Sequence, residues 1–139
     1  MQKIATIITN YVILLVDDDQ NLLSSFRIFL ESLGYIVIVA SDGQDAFGKL
    51  LAQDSLPDLV LTNLRMPRVD GFELAKELRR MGHKKPIILY SSNPRDVMGG
   101  NPRESWPERT KAVGFFAIIE LPIDLSELEI EIKKALGQK

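Results

Sequence analysis

The stretch Val12–Asp19, VILLVDDD, joins a short apolar run to three consecutive carboxylates. A Val- and Ile-rich run of this length reads as a strand buried on both faces, the kind found in parallel sheets. Three acids in a row are costly inside a core. They are cheap at the carboxyl end of a central strand, where open α/β sheets place their ligand crevice. Asp17 and Asp18 therefore mark a candidate site suited to a hard cation or a phosphoryl group. The plainer alternative is a solvated acidic loop that caps the next helix.

Outward from these acids the chain alternates. Leu22, Phe26, Phe29 and Leu33 fall at helical spacing, and Gly34 follows as a stop signal. Tyr35–Ala40 is a second β-branched run. Ser41-Asp42-Gly43 turns into a helix with Ala46, Phe47, Leu50 and Leu51 on its apolar face. Asp58–Asn63 reads as a third strand. Phe72–Met81 reads as a helix with Leu74, Leu78 and Met81 inward. Ile87–Ser91 is a fourth strand, followed by a polar, Pro- and Gly-containing loop from Ser92 to about Glu108 and a short helix over Arg109–Val113. Phe115–Glu120 is the fifth strand. A last helix is lined by Leu125, Leu128, Ile132 and Leu136, with Glu127, Glu129 and Glu131 on a solvated face and Ile130 off the inward stripe. Five strands alternating with helices predict an α/β fold, a parallel sheet with helices on both faces. His83, after Gly82, is expected at the surface.

Composition sets bounds. At 139 residues the chain suits one domain with a full core. A net charge of −2 argues against a nucleic-acid surface. With no Cys there is no disulfide, thiolate metal site or cysteine nucleophile, which fits a reducing compartment. The start, MQKIATIITNYVILLV, has polar breaks and lacks a small-residue cleavage pattern. No apolar run reaches membrane-spanning length. These readings predict a cytoplasmic location with no membrane contact.

In a doubly wound sheet the strand ends converge on one crevice. Asp17, Asp18, Asn63, Ser91 and Ser92 would face one another there, with Leu121 and Pro122 ending the fifth strand. The motifs LLVDDD (14–19), ASDGQDA (40–46), PDLVLTNLRMPRVDGFEL (57–74), PIILYSS (86–92) and the late Pro122 occur in order on successive βα units. In this the chain resembles the receiver domain of two-component response regulators. The resemblance runs from about Val12 to about Leu136. It implies a flavodoxin-like, doubly wound five-stranded sheet of order 2-1-3-4-5. It also implies a phosphoryl group accepted from a histidine kinase onto an Asp after strand three, assisted by Mg²⁺. A Ser or Thr after strand four and a Lys after strand five then contact the phosphoryl group.

Carried onto this sequence, the resemblance gives the acidic pocket to Asp17 and Asp18, the backbone carbonyl ligand to Arg65 and the switch hydroxyl to Ser91. The phosphoacceptor position is Asn63, whose amide is not the carboxylate nucleophile that forms an acyl phosphate. The Lys position falls on Leu121, or on Glu120 after a one-residue slip, and neither is a cation. Ile118 stands where a late aromatic is usual. The expected metal set is Asp17, Asp18, Asn63 and the Arg65 carbonyl, with Mg²⁺ weak or the site vacant.

The two losses fit together. Removing one member of a partly buried ion pair leaves an uncompensated charge, whereas removing both is close to neutral. Asn63 with Leu121 is the second case, which favours a natural receiver that is not phosphorylated. The sequence thus predicts a single receiver domain over 1–139, with its core at about 12–136 and an N-terminal extension at 1–10. It is expected to act as a protein-interaction module and not as an enzyme. The expected partner is a histidine kinase, an output domain or another receiver, a homodimer included. Arg95, Arg103, Trp106 and Arg109, residue types enriched at interface hot spots, are the candidate interaction surface.

Two alternatives stand beside this reading. One is a phosphorylatable receiver using Asp17, Asp18 or Ser91, or an Asp-to-Asn substitution introduced at position 63. The other is a small flavodoxin-like ligand-binding domain or enzyme. For that, a flavodoxin needs a hydroxyl- and Gly-rich loop after strand one and a cobalamin unit a His, but here the loop reads DDDQNLL (17–23).

Overall fold

The computed structural model describes residues 10–92 and 113–138. Five parallel strands form one sheet: β1 (Val12–Val16), β2 (Ile36–Ala40), β3 (Leu59–Asn63), β4 (Ile87–Ser91) and β5 (Ala117–Glu120), in the order β2-β1-β3-β4-β5. The described helices are α1 (Gln20–Ser32), α2 (Gly43–Leu51), α3 (Gly71–Arg80) and α4 (Leu125–Ala135). This is the flavodoxin-like α/β order that the resemblance implied. The anticipated loop beyond Ser92 and most of the helix over Arg109–Val113 lie outside the described residues, as does nearly all of the segment 1–10.

The period-two alternation of the central strands sorts their side chains between two layers. Ile13, Leu15, Leu59, Leu61, Ile88 and Tyr90 face α1 and α4, meeting Phe26, Leu30, Leu128 and Ile132. Leu14, Val16, Val60 and Ile87 face α2 and α3, meeting Ala46, Leu50, Leu74 and Leu78. Central strands covered on both sides carry no polar face, which is why the runs are continuously apolar.

Helix starts are set by aspartates. Asp19 caps α1 by accepting from the Asn21 and Leu22 N–H groups. Asp42 caps α2 through Asp45 N–H, and Asp70 forms a capping box with Glu73 at α3. Each such cap stabilises its helix by about 1 kcal/mol. Gly34, at φ +94°, ends the α1 region as expected of a left-handed stop.

Several sequence expectations shift. The inward stripe of α1 is Leu23, Phe26 and Leu30, with Leu22, Phe29 and Leu33 only partly buried against it. Leu22 and Leu23 are adjacent leucines, so spacing alone did not fix the phase. Leu51, Met81 and Leu125 are exposed and not inward. Strands β2, β3 and β5 begin later than the apolar runs. At β3 the reason is visible: Asp58 accepts from Val12 N–H (2.8 Å) and donates its own N–H to the Val12 carbonyl (2.8 Å), closing the strand's start.

His83 is the clearest correction. It is 1% exposed, not on the surface. After Gly82 (φ +91°) the chain folds back, with His83 N–H on the Leu78 carbonyl. The ring lies against the Pro57 carbonyl, with Nε2 at 3.2 Å. Arg79 fixes the same loop. Its guanidinium donates to the carbonyls of His83 (2.9 Å), Lys85 (2.7 Å), Val113 (2.9 Å) and Gly114 (3.0 Å).

Burial pushes the His83 imidazole below its ordinary pKa, the Pro57 hydrogen bond opposes this, and the nearby Arg79 and Lys85 cations add to the depression. The neutral ring therefore contributes stability above the ordinary histidine value that is lost as pH falls below about 6.5. Asp17, whose carboxyl is pushed up by burial, titrates with the opposite sign. A difference measurement isolates His83: the thermal midpoint of His83→Gln should fall less on acidification from neutral pH than that of the parent. Parallel midpoint-against-pH curves would refute this assignment.

Candidate functional site

The carboxyl ends of β1, β3, β4 and β5 meet at one crevice. The three acids after β1 divide into three jobs. Asp17 is completely buried, with its N–H on the Ala40 carbonyl (3.1 Å). Asp18 is exposed, and Asp19 is the α1 cap. The plainer reading, an acidic loop capping the next helix, thus applies to the third acid.

A buried carboxylate needs donors. Asp17 Oδ1 accepts from Asp19 N–H (2.9 Å) and from the Asn63 side-chain amide (3.3 Å). Asp17 Oδ2 accepts from the Tyr90 hydroxyl (2.6 Å). The Asn63 amide also donates to the Arg65 carbonyl (3.0 Å), so one nitrogen spans Asp17 and Arg65. Burial raises the Asp17 carboxyl above the usual carboxylate range. The bonds from Tyr90 and Asp19 lower it in part, and the neighbouring Asp18 and Asp19 charges raise it. The Tyr90 phenol is pushed well above its ordinary value, by burial first and then by the Asp17 charge. Tyr90 thus keeps its proton and donates.

Register supplies the remaining neighbours. Asn63 pairs with Tyr90 across β3 and β4, and Ser91 pairs with Glu120 across β4 and β5. Ser91 is buried, and its carbonyl accepts Leu121 N–H (2.9 Å), which puts Leu121 beside it at the strand end. The Leu121 side chain packs against the α1–α4 side of the core. Leu121 precedes Pro122 through a cis peptide bond. Asp17, Asn63 and the Arg65 carbonyl are therefore joined in one network, with Asp18 exposed beside it and Ser91 and Leu121 one strand over. Arg95, Arg103, Trp106 and Arg109 lie outside the described residues.

Two features of the crevice were not read from the sequence. Tyr90 is the first. Its signal was a single polar-tipped aromatic in the aliphatic run IILYS, one residue before Ser91. The second is an ion pair between Arg68 and the largely buried Asp42, which ties the loop after β3 to the loop after β2. Asp42 is held below the usual carboxylate range by Asp45 N–H first and by Arg68 second. Arg68 itself sits at φ +67°, a left-handed conformation that a non-glycine residue adopts at some cost.

The family profile described as response regulator receiver domain matches residues 13–104. The chain is 37% identical over 83 residues to the alkaline phosphatase synthesis transcriptional regulatory protein PhoP of Bacillus subtilis, covering 60% of this chain and 34% of that protein. It is 33% identical over 126 residues to response regulator MprA of Mycobacterium leprae, covering 89% of this chain and 50% of that protein. The chain thus spans a third to a half of the length of these curated relatives. Among solved structures, a response regulator receiver domain protein from Clostridium thermocellum superposes with a TM-score of 0.77 at 21% identity, over 91% of this chain and 94% of that one. Response regulator TrrA from Thermotoga maritima, in complex with Mg²⁺-BeF, superposes with a TM-score of 0.73 at 25% identity, over 91% of this chain and 99% of that one.

One glycine holds the site's backbone. A Cβ on Gly71, the first residue of α3, would lie 2.2 Å from the Asn63 carbonyl oxygen and 2.9 Å from Leu89 Cδ1. Gly71 N–H also donates to the Leu64 carbonyl (2.8 Å), so α3 cannot retreat without losing a bond. Gly71→Ala should therefore cost about 2–3 kcal/mol, as overpacking does. Urea denaturation measures this, and an unchanged midpoint would show that α3 shifts freely.

Proposed function

The chain belongs to the response regulator receiver domain family, and on that premise we propose that it is a receiver set by protein contacts instead of by phosphorylation. Receiver domains are signalling modules of two-component systems, and they typically bind Mg²⁺ at the phosphorylation site. The receiver core proposed here runs from about residue 12 to about residue 136.

The observation that carries the reading is Asn63. It ends β3 at the phosphoacceptor position, and its amide nitrogen is turned inward to Asp17 and Arg65. Acyl phosphate formation needs a carboxylate oxygen to attack phosphorus, and an amide does not supply that nucleophile. Leu121, at the Lys position, offers hydrocarbon where an ammonium would stabilise charge on the transferring group. The paired absence of the acceptor carboxylate and of the ammonium strands neither member of that pair, which supports a natural receiver adapted to this state.

The donor set also speaks against a firmly held cation. Mg²⁺ takes oxygen ligands, usually carboxylates with water. Here the Asp17 and Arg65 oxygens already accept hydrogen bonds from an amide. As arranged, these residues do not fit the ion, and its binding is weak on this reading. The signal then passes through protein surface, to a kinase, an output domain or a second receiver.

The test is incubation of the full chain with acetyl phosphate and Mg²⁺, followed by intact mass. No phosphoryl adduct should form, and Asn63→Asp alone should restore little, because Leu121 still supplies no positive charge. A stable phosphoryl gain on the parent chain, mapped to the crevice, would refute the proposal.

A further inference from the structure

Tyr90 is placed by packing before it is placed by hydrogen bonding. It sits on β4 opposite Asn63, on the strand face that meets α1. Its ring contacts Phe26 edge-on, with centroids 5.5 Å apart and planes at 69°. At 1% exposure the hydroxyl has no bulk water to turn to, and a buried hydroxyl without a partner is costly. It reaches Asp17 Oδ2 at 2.6 Å, the usual length for a hydroxyl donating to a carboxylate.

The other Asp17 oxygen is served from two more segments, by Asp19 N–H and by the Asn63 amide. The Asn63 nitrogen has two hydrogens and meets two acceptors, Asp17 and the Arg65 carbonyl. Those acceptors are two of the oxygens that a divalent cation in this crevice would need. The phenol and the amide together therefore satisfy the pocket from within.

We propose that Tyr90 is a positioning residue that seals the acidic pocket. With Asn63 it holds Asp17 in one arrangement and makes that arrangement indifferent to divalent cations. This rests on the reading of Asn63 as a replaced acceptor and adds what keeps the site in place. Asn63 alone leaves Oδ2 open to a cation. Tyr90 closes it.

The experiment compares the 139-residue parent with Tyr90→Phe, Asn63→Asp and the double variant, using Mg²⁺ alone as the probe. The thermal midpoint of the parent should not respond to millimolar Mg²⁺. Tyr90→Phe should have a lower midpoint without Mg²⁺ and regain part of the loss when it is added. By calorimetry the double variant should bind Mg²⁺ about tenfold more tightly than Asn63→Asp, the scale at which groups behind a metal ligand act. Equal affinities, or a destabilised Tyr90→Phe that ignores Mg²⁺, would reduce Tyr90 to a packing residue and overturn the proposal. A measurement on the parent needs no variant to fold. Its Tyr90 hydroxyl proton should appear in NMR spectra as a slowly exchanging signal that Mg²⁺ leaves in place; loss of that signal on adding Mg²⁺ also overturns the proposal. Phosphoryl uptake by mass tests the reading of Asn63 separately, since a chain that takes no phosphoryl group yet binds Mg²⁺ tightly leaves Asn63 a replaced acceptor and overturns the sealed pocket.

Discussion

A carboxylate with no access to water organises the end of this sheet. Asp17 is carried into the interior by β1, whose four preceding residues are all buried. Its charge is tolerable there only if donors arrive from other parts of the chain. They come from the start of α1, from the end of β3 and from the end of β4. These bonds require β3 and β4 to end level with β1, which the register satisfies by pairing Asn63 with Tyr90. The loop after β3 must then curl so that the Arg65 carbonyl meets the Asn63 amide, and Gly71 must lie close under the Asn63 carbonyl for α3 to begin. Each requirement follows from the one before, and all begin with the burial of one side chain.

The same logic explains why the crevice differs from a plain cation site. Negative charge at strand ends is neutralised either by an ion or by protein dipoles. Here a phenol, an amide and a backbone N–H share the task. Around them the loops are braced by a separate charge pair, Arg68 on Asp42, and by the close contact of Gly43 with Val69. The crevice is thus held by bonds internal to the chain at its centre and at its rim.

Much of the architecture could be read in advance because its signals are local. β-Branched runs, Gly and Pro stops and capping aspartates lie within a few residues of the elements they define, so the alternation and the layers were legible. The family motifs located Asp17, Asn63, Ser91 and Leu121 in the same way. What escaped depends on distant partners. His83 looks like a loop residue until Pro57, 26 residues earlier, is brought against its ring. Tyr90 looks like one more apolar strand residue until Asp17, 73 residues earlier, receives its hydroxyl. Three neighbouring aspartates look equivalent in sequence, and only the tertiary surroundings make one buried, one exposed and one a cap. The phase of α1 was ambiguous for a local reason, two leucines side by side at its start.

The clamp around Arg79 bears on how the chain tolerates change. One guanidinium joins the end of α3, the loop into β4 and the approach to β5 through four carbonyls, each from a different residue. Its planar fork reaches several acceptors at once, a geometry that a lysine ammonium on its flexible stem does not reproduce. Position 79 thereby fastens three segments through one side chain, beside the His83 N–H bond to the Leu78 carbonyl. A swap that preserves charge would still loosen three segments together, because the shape of the fork and not its sign is what reaches four carbonyls.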